Sequence, residues 1–171
     1  MRSLIKYYKE KRSYCYINSS FICGEVIKSI QEDYWKEKFR SNKRLRDLLE
    51  LNAIFVISPL TEFEIRKRLT KKFNKTFEEA NDILSSFKQN FGKNLITVVV
   101  KDIRITHDLI NWILKHNLSF NDGLHIITAQ KLKIPLITSE KDKNLERWKK
   151  AYDGVYSMEE FWKSLKKNNP I

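Results

Sequence analysis

Short apolar runs alternate with longer amphipathic stretches along the whole chain. YCYIN (14–18), IFVI (54–57), LITVVV (95–100), PLIT (135–138) and GVYS (154–157) have the length and the β-branched or aromatic content of strands. IFVI is apolar throughout, as a parallel strand covered on both faces would be. LITVVV is the strongest strand signal, predicting a strand over 95–100. Between these runs the apolar spacing is helical. FICGEVIKSIQ follows Asn18, Ser19 and Ser20, each of which can cap it. A second helix is predicted over about 33–51, with Trp35, Phe39, Leu45, Leu48 and Leu49 set among charges. Pro59 suits the first turn of a helix carrying LTEFEIRKRL. Thr76 and Glu79 have capping-box spacing ahead of EEANDILSSFKQNF. IRITHDLINWILKHN is amphipathic, a helix starting near Asn121 covers DGLHIITAQKL, and KDKNLERWKK is a short charged helix. Ser157 and Glu160 repeat the capping-box spacing before MEEFWKSLKK.

Strands that alternate with helices imply right-handed crossovers and a parallel sheet. The fold class predicted is therefore α/β: a three-layer α/β/α sandwich with a central, mainly parallel sheet. At 171 residues the chain suits one domain over 1–171, with 1–13 as an N-terminal extension. Four Gly and three Pro are too few for an all-β protein built on tight turns. In open parallel sheets, sites form at the carboxyl ends of strands. Asn18 ends the first strand, Glu140 and Asp142 follow PLIT, and Asp122 opens a helix.

Composition adds a partner class. Lys plus Arg number 33 against 21 Asp plus Glu, a formal charge of +12, which points to a polyanion such as nucleic acid; such a charge also serves solubility. Cys15 and Cys23 lack the spacing and the nearby His of a zinc site, and are expected as buried free thiols in a reducing cytoplasm. No apolar run reaches membrane length, and the first 13 residues lack the apolar core of a signal peptide.

Four segments carry the chemistry: YINSSF, SPLTEFEI, NDGLHIITA and PLITSEKD. In type and order they resemble the four motifs of PIN-domain nucleases, the family that includes VapC-like toxin ribonucleases, and the likeness runs from about residue 14 to 148. The last two segments are the most specific. The resemblance puts the family's acids at Asn18, Glu64, Asp122 and Glu140, with Asp142 as an auxiliary acid, and matches Thr138 and Ser139 to the hydroxyls before the fourth acid. Glu62 lies two residues from Glu64 and should face elsewhere on its helix. The resemblance implies one or two Mg2+ or Mn2+ ions, RNA as substrate, an antitoxin protein as partner if the chain is a toxin, and a homodimer. Hard cations prefer such carboxylate oxygens, and paired ions can activate water and stabilise a leaving oxygen in phosphodiester hydrolysis. Singly, each acid has an ordinary reading: Glu64 as a helix charge, Asp122 as a first-turn acid, Glu140 and Asp142 as caps. No Ser–His–Asp arrangement competes; His107 and His116 lie nine residues apart on one helix, and His125 shares a helical face with Asp122 either as a packed residue or as a neighbour of the site.

Two basic runs, KEKFRSNKRLR (36–46) and RKRLTKKFNK (66–75), would hold phosphates, with Arg66, Lys67, Arg68, Lys71 and Lys72 as the binding residues; equally, they are solvated helix faces.

Three features depart from the family pattern. Asn18 is a neutral amide where an acid is expected, either native or substituted for a catalytic Asp. Glu140 is one methylene longer than the usual Asp. The N-terminal extension and the helices at 33–51 and 76–91 exceed the compact toxin members. The expected function is a metal-dependent PIN-domain endoribonuclease weakened or abolished by Asn18; the alternative is a catalytically silent module binding RNA or protein.

Overall fold

In the computed structural model, the residues described are 13–23, 53–101 and 103–166. The helix expected over 33–51, with Trp35 and Phe39, and the basic run at 36–46 lie outside them, as does the helix begun by FICGEVIKSIQ beyond Cys23. The described elements are β1 (Ser13–Ile17), α1 (Ser19–Ile22), β2 (Ala53–Ile57), α2 (Pro59–Phe73), α3 (Phe77–Phe91), a 3-10 turn (Gly92–Asn94), β3 (Leu95–Thr97), α4 (His107–Lys115), α5 (Phe120–Leu132), β4 (Leu136–Thr138), α6 (Asp142–Ala151), β5 (Val155–Ser157) and α7 (Met158–Lys166).

All five strands are parallel, in the order β3-β2-β1-β4-β5. The chain winds outward from β1 to β3, then returns to the other side of β1 for β4. The direction of winding therefore reverses between β1 and β4, and the carboxyl ends of these strands border a crevice.

Alternation along the strands sorts side chains into two layers. Cys15, Ile17, Phe55, Ile57 and Ile137 face α1, α2, α3 and α7, where they meet Phe21, Ile65, Leu69, Leu84, Phe87 and Phe161. Tyr16, Val56 and Leu136 face the other way, onto Ile126, Ala129 and Trp148 of α5 and α6. These two apolar layers make the three-layer sandwich, and burying each large side chain contributes roughly 1.5–3 kcal/mol. Cys15 and Cys23 are buried and free of disulfides. Among the described residues no helix is long and apolar enough to cross a membrane.

Local signals set most element ends. Pro59 opens α2 behind a Ser58–Thr61 capping box, and Thr76–Glu79 opens α3 with the reciprocal bonds its spacing predicts. Ser157 and Glu160 exchange bonds at the head of α7. Two expectations change. LITVVV yields a strand only over Leu95–Thr97. Among the described residues β3 is an edge strand whose one neighbour, β2, ends at Ile57, and after the Val98 N–H bond to the Ile57 carbonyl no ladder among them remains for Val99, which is 65% exposed. The helix expected from Ile103 begins only at His107, because the Thr106 hydroxyl caps it by accepting from Leu109 N–H. At α1 the capping side chain is Asn18, as its place before Ser19 and Ser20 suggested, and neither serine caps the helix.

Gly123 marks the tightest approach between α4 and α5. A Cβ there would lie 2.5 Å from Ile113 Cγ1 and 2.8 Å from its Cδ1, and Ile113 is itself buried. Gly123→Ala gains about 0.5–1 kcal/mol of helix preference but overpacks a filled space at about 1–3 kcal/mol. The expected result is a net loss of about 1 kcal/mol in urea unfolding; a stabilised variant would show that Ile113 yields freely.

Candidate active site

The carboxyl ends of β1, β2 and β4 gather a polar cluster beneath the amino ends of α2 and α5. Glu64, on α2, stands at its centre. Its Oε2 accepts from Ser19 Oγ at 2.5 Å and from His125 Nε2 at 2.8 Å, and its Oε1 accepts from Asn121 Nδ2 at 2.6 Å. Burial pushes the Glu64 carboxyl up, but these bonds, the His125 bond foremost, win and hold it below the usual carboxylate range.

His125 is buried, and its other nitrogen, Nδ1, lies 2.7 Å from the Tyr16 hydroxyl. That hydroxyl also meets Ser58 Oγ at 2.7 Å and Thr61 Oγ1 at 3.1 Å. Burial pushes the Tyr16 phenol up to about 12, so it keeps its proton at neutral pH. One arrangement of hydrogens satisfies the group: Tyr16 donates to His125 Nδ1, His125 donates from Nε2 to Glu64, and Ser58 and Thr61 donate to Tyr16. The two packed layers thus meet through Glu64 and His125.

Asn18 sits at the switch between β1 and β4 and is buried. Its Oδ1 accepts from Phe21 N–H at 3.2 Å and from Ser20 Oγ at 2.9 Å, and its Nδ2 donates to Thr138 Oγ1 at 3.2 Å. The cap fixes which way the amide points. The oxygen is turned into α1, and an NH2 faces β4 where an aspartate would present a second oxygen. Thr138 Oγ1 in turn accepts from Glu140 N–H at 3.1 Å, and Ser139 N–H reaches Ser20 Oγ at 3.4 Å. Hydrogen bonds alone therefore stitch the β1 end to the β4 end.

Asp122 lies in the first turn of α5, behind its Ser119 cap. Burial first, and then the nearby Glu140 carboxylate, push its carboxyl above the ordinary aspartate value, against the hydrogen bond from Ser119. Glu140 accepts from Asn144 Nδ2 at 3.0 Å. Asp142 is exposed at the start of α6 with a left-handed φ of 50°, a conformation Asp tolerates. The sequence-predicted acids thus fall into a coupled pair, Asp122 with Glu140, and a separately bonded Glu64. Among the described residues no three His, Cys, Asp or Glu side chains converge as a ready cation cage.

For a hard divalent cation the fit is partial. Asp122 and Glu140 offer carboxylate oxygens whose mutual repulsion a cation would relieve, and Glu64 is near enough to this region to bond Asn121, the residue beside Asp122. Asn18 adds no ligand while its oxygen serves the cap.

Glu62 turns away from this cluster, as its spacing predicts: it pairs with Arg66 and Lys88 and accepts from Thr97. Arg66 goes with it, donating to Asn81 on α3, so it braces two helices. Lys67, Arg68, Lys71 and Lys72 are exposed on α2. Sequence reasoning left Tyr16, Ser58, Thr61 and Asn121 unassigned to the site. Asn121 and His125 have one visible signal, their places beside and three residues after Asp122. Tyr16 has none, since a strand tyrosine among apolar residues looks like core.

Six solved chains match this fold. One is the crystal structure of PAE2754 from Pyrobaculum aerophilum, 14% identical, with a TM-score of 0.52 over 91% of this chain and 96% of that one. At that identity the likeness concerns the fold alone. No curated protein matches the sequence. The PIN domain family model matches residues 33–151, a span that contains Glu64, Asp122, Glu140 and Asp142 and leaves β1 and Asn18 upstream, where the sheet restores them to the same edge. With well over half of its residues matched, the chain belongs to the PIN-domain family.

Proposed function

We propose that this PIN domain is a divalent-metal-dependent endoribonuclease whose activity Asn18 holds low. The observation that carries it is geometric: at the carboxyl edge of the sheet Glu64 bonds Asn121, the neighbour of Asp122, and Thr138 ties Asn18 to the Glu140 backbone, which brings the segments of the four motifs together. Asp122 and Glu140 would hold Mg2+ or Mn2+, with Glu64 beside them and Asp142 at the rim. When bound, the cation supplies Lewis-acid activation of water and neutralises charge on the phosphate. The chain's own part is orientation. His125, Ser19 and Asn121 fix both oxygens of Glu64, and Asn144 holds Glu140. The charge of +12 draws the substrate in. A toxin neutralised by an antitoxin protein is a narrower form of this proposal.

The Asn18 amide, whose oxygen is taken up by the α1 cap, favours a second reading, a catalytically silent module that binds RNA. The two separate in one experiment on a labelled single-stranded RNA. The nuclease reading expects slow Mn2+-dependent cleavage that disappears in EDTA and in Asp122→Asn. Salt-sensitive binding that persists in EDTA, with no cleavage in either metal, supports the silent module.

A further inference from the structure

The basic run on α2 divides by helical geometry into parts with different surroundings. Arg66 faces α3, bonded to Asn81 and Glu62. Arg68 leans on the Cys23 thiol, where its hydrogen bond and charge offset part of the upward push of burial. Phe63, Lys67 and Lys71 are spaced at i, i+4 and i+8, so they form one outward stripe. All three are exposed, Phe63 by 56%. Lys67 Nζ stands 6.0 Å from the centre of the Phe63 ring. Among the described residues neither lysine forms an ion pair, whereas Lys75 and Lys88 do.

This stripe begins at Phe63, one residue before Glu64 and about 100° round the helix from it. A second exposed ring, Phe120, at 43%, stands at the amino end of α5, next to Asn121 and Asp122. The 2.6 Å bond between Asn121 and Glu64 ties the two helices at this level. Two exposed aromatic rings thus stand on the two helices that this bond joins, each one residue in sequence from a partner in it, and two lysines continue the stripe from one of them. Among the described residues neither ring belongs to either apolar layer.

We propose that Phe63 and Phe120 are stacking platforms for unpaired bases, and that Lys67 and Lys71 hold the phosphates of the same strand. The ligand class is a single-stranded polynucleotide laid across the acidic cluster along α2. Every base has a face to stack, so the subsite accepts many sequences, while a duplex keeps its bases stacked internally and gains only the lysine contacts. The cation over the Phe63 ring fits this ligand better than a protein's apolar face, because a buried interface would strip water from Lys67. The proposal rests on the nuclease-type reading for its substrate but is tested without catalysis.

The test is fluorescence anisotropy in EDTA with labelled single-stranded RNA, single-stranded DNA and duplex RNA of equal length. Phe63→Ala and Phe120→Ala are each expected to weaken single-strand binding roughly tenfold, with duplex binding nearly unchanged. Phe63→Tyr should restore it. Lys67→Gln with Lys71→Gln should lower the salt dependence by about two phosphate contacts on every ligand. Single-strand binding that survives both alanine substitutions overturns the proposal and leaves the nuclease reading intact, as does loss of dimerisation in Phe63→Ala with unchanged RNA affinity. If the parent binds none of the three ligands in EDTA, the stacking proposal falls; the metal-dependent nuclease reading does not, and cleavage with Mn2+ tests it separately. RNA and DNA bound alike supports base and phosphate recognition; strong preference for the duplex overturns it.

Discussion

Asn18→Asp is expected to raise Mn2+-dependent RNA cleavage on the order of a hundredfold, the scale on which changes around a metal site alter activity. The substitution keeps the α1 cap, because one carboxylate oxygen can accept from Phe21 N–H and Ser20 Oγ where Oδ1 does now. The other oxygen replaces the NH2 that faces Thr138 Oγ1 at 3.2 Å. Thr138 can reverse its hydroxyl and donate to that oxygen, so geometry is preserved while a negative charge is added beside the β4 end. The same change has a cost. Asn18 is 3% exposed, and an acid buried there stands one hydroxyl from the Glu140 backbone, adding negative charge beside the Glu140 end of the Asp122–Glu140 pair. In EDTA the variant should therefore melt below the parent, by about 1–3 kcal/mol of stability. Mn2+ should restore that loss. Cleavage of labelled RNA and thermal melting, each with Mn2+ and with EDTA, measure both effects. A variant as inert as the parent on several RNAs in either metal, and no more stable with Mn2+ than without it, would sink the nuclease reading.

Removing the centre of the network has the other large effect. Glu64→Ala should destabilise the fold by roughly 2–4 kcal/mol at pH 7, since it leaves His125 Nε2–H, Ser19 Oγ–H and Asn121 Nδ2–H without their common acceptor. Buried donors without acceptors cost more than the bonds themselves contribute, and His125 is 2% exposed, so water cannot easily replace the carboxylate. Glu64→Gln should lose less, because the amide keeps one accepting oxygen. The pH dependence has a definite sign. The folded state holds Glu64 below its ordinary value of 4.5, so its stabilisation is complete above that value and fades as pH falls through the lower, folded-state value. The gap between parent and Glu64→Gln should therefore narrow in urea unfolding as pH drops below about 4.5. Asp122 acts in the opposite sense. Its carboxyl is raised above 3.8, so as pH rises past that value the unfolded state ionises first and stability falls until the folded-state group ionises too. An unchanged gap for Glu64→Gln down to strongly acid pH would mean that the carboxylate charge adds nothing to the network.

The α/β class, the approximate places of the strands and the caps at Thr76 and Ser157 are legible in the sequence alone. IFVI and PLIT are local apolar runs, and Thr76–Glu79 and Ser157–Glu160 bond within three residues, so neighbouring positions already contain the information. It also marked Glu64, Asp122 and Glu140, whose order along the chain survives any folding. What it left open were the contacts between distant segments. LITVVV looks like a long strand, but its length was decided by where β2 ends. Arg66 and Lys67 look alike in a basic run, yet 100° of helical rotation sends one to Asn81 and leaves the other exposed over Phe63. Tyr16 gives no sign of joining the site until β1 is set beside α2 and α5. Asn18 is the sharpest case. Its cap is local and legible, whereas the direction of its NH2 depends on Thr138, 120 residues away, and only the pairing of β1 with β4 brings the two together. A hydrogen bond is directional and reaches about 3 Å, so the chemistry of such a group is settled by the packing that delivers its partner.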